Sequence, residues 1–89
     1  MKKTYLFTFG DHNKRFDTTK NIHEVAVTYN EKTSISDIVT FIRGKCDEFY
    51  PELTTKDIKG TKLGYYIDVN EYLCILVVVK EIGGHYVLY

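Results

Sequence analysis

The 89-residue chain has no tryptophan, one proline, one methionine and two cysteines, and its formal net charge is zero. Each shortage excludes something. A neutral chain has no general attraction for nucleic acid, anionic lipid or acidic substrates. Cys46 and Cys74 lie far apart in sequence, with no CxxC spacing. They make neither a disulfide framework nor a zinc motif, and read as small buried hydrophobes in a reducing compartment. The longest apolar run, Tyr72 to Val79, is far short of the about 20 residues that span a bilayer. Met1-Lys2-Lys3 has the basic character of a leader, but the apolar stretch behind it runs only from Tyr5 to Phe9. No small-residue cleavage site follows, so the expected location is cytoplasmic.

Catalytic patterns are missing as well. His12, His23 and His85 stand on separate segments, without a second ligand at helical spacing. There is no GxSxG, Walker or GxGxxG pattern, and Gly60-Thr61-Lys62-Leu63-Gly64 lacks the strand and helix that would cradle a phosphate. The acids Asp47, Glu48, Glu52 and Asp57 gather where a helix is expected to end, which is locally unfavourable to the helix dipole. Solvated surface charge accounts for them. The expectation is a protein that is not an enzyme and uses no metal or cofactor.

What is present is aromatic. Eight tyrosines and five phenylalanines make up 15% of the chain. Five of the tyrosines come late: Tyr65, Tyr66, Tyr72, Tyr86 and Tyr89. Tyr packs its ring while its hydroxyl stays wet, which suits half-buried strands and contact surfaces.

Alternation predicts a strand over Thr4–Phe9, with Tyr5, Phe7 and Phe9 on one side and Thr4, Leu6 and Thr8 on the other. Gly10 to Lys20 is polar around a single Phe16 and reads as a long hairpin loop, before a second strand over Ile22–Tyr29. Ser34 then caps a helix, with Asp37 placed for a capping box. Ile35, Ile38, Val39, Ile42, Cys46 and Phe49 form one apolar stripe, and Pro51 ends the helix near Tyr50. Thr54–Gly60 reads as a short helical turn. Strands over Lys62–Asp68 and Tyr72–Ile82 flank a turn at Val69-Asn70. Gly83-Gly84 supplies a tight turn into a last strand, His85–Tyr89.

The order ββα, helical turn, βββ resembles a ubiquitin-like, β-grasp domain. The resemblance is carried by Tyr5-Leu6-Phe7-Thr8-Phe9, Glu24-Val25-Ala26-Val27, Ser34-Ile35-Ser36-Asp37-Ile38 with Ile42, and Leu73-Cys74-Ile75-Leu76-Val77-Val78-Val79. It implies a single α+β domain over residues 1–89, a mixed sheet packed on one helix. The run from Leu73 would be the last core strand, parallel to the first. It also raises the idea of a ubiquitin-like carrier that requires processing after Gly84, although five residues follow that glycine.

Two binding readings remain. Residues 1–20 carry five basic and two acidic side chains. Lys3, Lys14, Arg15 and Lys20 beside an aromatic strand make a candidate single-stranded nucleic-acid surface. The expectation the residues favour is protein–protein recognition. One helix covers one face of a sheet, yet the strand from Tyr72 is apolar on both: Leu73, Ile75, Val77 and Val79 on one, Cys74, Leu76 and Val78 on the other. Its candidate contact residues are Tyr65, Tyr72, Leu76, Val78, Tyr86 and Tyr89. The partner would be a protein of unspecified identity or a second copy of the chain. By analogy with other small motif-free chains, the protein would be a phage or plasmid accessory factor that binds a host protein.

Overall fold

A computed structural model describes residues 3–30, 33–53, 57–62 and 64–82. The elements run β1 (Lys3–Asn13), β2 (Thr18–Tyr29), α1 (Ile35–Phe49), β3 (Lys59–Gly60), β4 (Gly64–Asp68) and β5 (Leu73–Glu81). The strands form one sheet in the order β2-β1-β5-β4-β3, and every neighbouring pair is antiparallel.

This corrects the expected β-grasp architecture. A mixed sheet required β5 parallel to β1, whereas Tyr5 stands opposite Glu81 and Asn13 opposite Leu73. Alternation of period two assigns side chains to faces but has no polarity, so it reads the same in either direction. The resemblance to ubiquitin-like domains loses its basis in topology.

The first hairpin is longer than its composition suggests. β1 continues to Asn13 and β2 starts at Thr18, so most of the expected loop is ladder. Asn13 closes the turn: its Oδ1 accepts from the backbone N–H groups of Arg15 (2.9 Å) and Phe16 (3.1 Å). The register slips between Phe9 and Asp11, where Asn21 takes a φ of 53° and β2 carries the extra residue of a bulge. Gly10 lies beneath that bulge. A Cβ there would run into the Thr19 methyl and sit 3.5 Å from Ile22 Cγ1.

The helix forms as its sequence directs. The Ser34 hydroxyl accepts from the Asp37 N–H, and the Asp37 carboxylate accepts from the Ser34 N–H, both at 3.1 Å. Ile42 and Cys46 on its inner stripe are fully buried. They meet Phe7 and Phe9 of β1, Ile67 of β4, and Ile75 and Val77 of β5 in one cluster. Phe41 packs on Phe7 with centroids 4.6 Å apart, and Phe49 meets Phe9 edge-on at 5.4 Å. Each fully buried side chain of this size contributes about 1.5–3 kcal/mol over remaining exposed.

The expected helical turn over Thr54–Gly60 is also corrected. Residues 54–56 lie outside the described residues, and Lys59–Gly60 is a strand opposite Tyr66 and Tyr65. The turn after it is closed by the Thr61 N–H donating to the Gly64 carbonyl (2.8 Å). Across the next turn, Asn70 Oδ1 accepts from Tyr72 and Leu73, as the Val69-Asn70 signal predicts. The expected turn at Gly83-Gly84 and the expected strand over His85–Tyr89 fall outside the described residues.

Candidate protein-binding face

The helix covers the odd-numbered face of β1 and β5. On the other face the register lines up rows of side chains. Leu6 faces Ala26 on one side and Lys80 on the other; Thr8 lies between Glu24 and Val78. Gly10 stands opposite Leu76, which stands opposite Tyr66, and Tyr66 pairs with Lys59. Leu6, Thr8, Tyr66, Leu76 and Val78 are half-buried, and Ile22 is 55% exposed above Gly10. Among the described residues, no second layer packs on this face.

Two glycines flatten it. Gly10 flanks Leu76, and Gly64 stands directly opposite Val78. A Cβ on Gly64 would overlap the Val77 carbonyl oxygen, so only glycine lets β4 approach β5 this closely. The result is an apolar patch with little relief, the kind of surface that packs against another protein.

Charged groups rim the patch at one end. Asp68 accepts from Lys14 (2.6 Å) and Lys59 (3.3 Å), and Lys14 also reaches the Asn70 carbonyl (3.3 Å). The Lys14 hydrogen bond holds the Asp68 carboxyl below its ordinary pKa, and the same bond raises that of Lys14. The Lys59 ammonium lies 5.9 Å from the Tyr66 ring centroid. His12, opposite Cys74, is 2.9 Å from the Thr19 hydroxyl and 3.3 Å from the Asp17 carboxylate. Burial pushes the Cys74 thiol pKa up, away from the thiolate a nucleophile needs.

The structure unites some of the expected contact residues and separates others. Leu76 and Val78 share the uncovered face. Tyr65 is on the opposite face, across from Val77, where it lines a groove of about 560 Å³ with Ile35, Ile38, Val39, Ile58 and Val79. Tyr72 sits in the β4–β5 turn beneath the Arg15 guanidinium, 5.0 Å from the ring centroid. Tyr86 and Tyr89 lie outside the described residues. Sequence reasoning missed Tyr66, Leu6, Ile22 and Ala26. Leu6 carried a signal, being an apolar residue on the wet side of its strand. Tyr66 could be chosen over Tyr65 only once the register with β5 was known.

The four candidate nucleic-acid contacts do not form one patch. Lys3 pairs with Glu81 (3.3 Å) at one end of β1, roughly 35 Å along the strand from Lys14 and Arg15. Lys14 is held by Asp68 and Arg15 by Tyr72, while Lys20 is exposed on β2 opposite Asp11.

Among the described residues, no group of three or more His, Cys, Asp and Glu could hold a metal ion, and no helix is long and apolar enough to cross a membrane. Comparison with protein-family models, with curated proteins and with solved structures returned no match.

Proposed function

We propose that this chain is a non-enzymatic recognition module that binds a partner protein through the uncovered face of its sheet. One observation carries the reading: Leu6, Ile22, Tyr66, Leu76 and Val78 share a face that the helix leaves open. A five-stranded antiparallel sheet with one wet face ordinarily alternates, and β5 does not. The nucleic-acid reading has less support, because three of its four cations already have partners within the chain. The carrier reading draws on Gly83-Gly84 and on the β-grasp resemblance, and the antiparallel pairing of β1 with β5 takes away the support of the second.

Affinity capture with matched baits tests the proposal. The wild-type chain and a Leu76→Glu variant are compared, with circular dichroism showing that both are folded. A protein held by the wild type and lost by the variant is the expected result. Identical capture by two folded baits would sink the reading.

A further inference from the structure

The two edges of the sheet are unequal. On one side the sheet ends in β3, only two residues long. On the other it ends in β2, twelve residues long, with no strand outside it among the described residues. Natural sheets blunt a free edge with proline, shortness, a bulge or inward charge. β3 is blunted by shortness. β2 contains no proline, and its bulge lies near Asn21, leaving the stretch from Glu24 to Thr28 regular.

Which backbone groups of that stretch are unpaired follows from alternation. In an antiparallel ladder, the N–H and C=O of one residue point to the same neighbour and successive residues alternate. The Ile82 N–H donates to the Thr4 carbonyl (2.9 Å), and the Lys14 N–H to the Tyr72 carbonyl (2.7 Å). Even-numbered residues of β1 therefore face β5, and Tyr5, Phe7 and Phe9 face β2. Their partners Val27, Val25 and His23 point inward. Glu24, Ala26 and Thr28 point their backbone donors and acceptors outward, and all three are exposed.

We infer that this edge pairs with the same edge of a second copy, antiparallel about a two-fold axis at Ala26, joining two sheets into one of ten strands. The strand is self-complementary in that register. Ala26 meets Ala26, Glu24 meets Thr28, Val25 meets Val27 and His23 meets Tyr29, so no like charges stand opposite each other. All three outward residues are then used. Moving the centre to Glu24 sets two carboxylates face to face. Moving it to Val25 carries Thr28 onto the bulged Ile22, and moving it to Val27 carries Glu24 past the strand end at Tyr29. Copies of a chain with zero net charge do not repel one another overall. This edge is distinct from the uncovered face and does not depend on the function proposed above.

Amide hydrogen exchange at two protein concentrations tests the pairing. At roughly 1 mM the Glu24, Ala26 and Thr28 amides should exchange about tenfold or more slower than at roughly 10 µM. Val25 and Val27 should be protected at both. Solvent-rate exchange of the outward amides at both concentrations overturns the inference. So does equal protection at both in a chain that light scattering finds monomeric, because the edge is then covered within one chain. Ala26→Pro removes an outward donor and no inward one, and should convert a dimer of twice the 10.4 kDa chain mass into a folded monomer by light scattering. A folded variant that stays dimeric contradicts the pairing. Should the variant unfold, the wild-type exchange data decide alone.

Discussion

Val78 stands directly opposite Gly64 across the β4–β5 ladder, so its isopropyl group has no side chain beside it on that flank. Thr8 is its neighbour on the other flank. Val78→Glu should therefore cost about 1 kcal/mol or less in stability while removing partner binding. Phe9→Ala, on the covered face and fully buried, should cost about 3–5 kcal/mol, enough to unfold a marginally stable chain of this size. Urea denaturation of the two variants distinguishes the faces. A Val78→Glu protein that unfolds as readily as Phe9→Ala would place Val78 in the core.

The helix offers a matched pair of opposite sign. Ser34→Ala removes the cap and should lower stability by about 1 kcal/mol. Gly44 faces open space, with nothing within 4 Å of an added Cβ. Gly44→Ala should accordingly raise stability by about 0.5–1 kcal/mol. At this chain length each kcal/mol corresponds to roughly 4–8 °C in Tm, which calorimetry resolves.

Tyr50 is 5% exposed, and its hydroxyl is buried with no hydrogen-bond partner. Burial, then the nearby Asp11 carboxylate, pushes its pKa up from 10.0 to about 12. A raised folded pKa stabilises the fold fully below the unfolded value, and that contribution is lost as pH climbs from about 10 through about 12. Absorbance titration should show one phenol ionising last, and Tyr50→Phe should abolish that phase. Because the hydroxyl is unpaired, Tyr50→Phe should leave stability at neutral pH unchanged or higher. A loss above about 1 kcal/mol would mean the hydroxyl has a partner worth keeping.

Cys46 is fully sequestered and Cys74 is 5% exposed, and neither is in a disulfide. Both thiols should resist a disulfide reagent in the native protein and react together on unfolding. Rapid labelling of Cys74 in the folded chain would show that the sheet beside His12 opens.

The helix was legible to within a residue, because Ser34, Asp37 and the apolar stripe all mark the same boundary. The division of β5 into two faces was legible too, since period two needs no partner to be read. Strand direction was not. Phe7 can meet Val79 in either a parallel or an antiparallel sheet, and only the turns around Thr61 and Asn70 decide how the chain arrives. The extension of β1 through Asp11, His12 and Asn13 was hidden for a different reason. Those polar residues are held by a ladder on both sides, Thr18 to Lys20 and Leu73 to Ile75, so backbone pairing overrides weak strand propensity. The open face was half visible: period two alone puts Leu76 and Val78 on one side of β5, whereas their companions come from strands whose register no single segment encodes.

The antiparallel meeting of β1 and β5 also governs how the fold can be reached. These two central strands are separated by the whole helix and the β3–β4 turn, so their pairing closes a long loop before any of its contacts give a return. Such non-local pairings slow folding. During synthesis, β1 lacks its second neighbour until the residues from Leu73 onward have emerged. Throughout that interval Phe7 and Phe9 have only β2 and the helix to shield them, and the growing chain is at its most aggregation-prone.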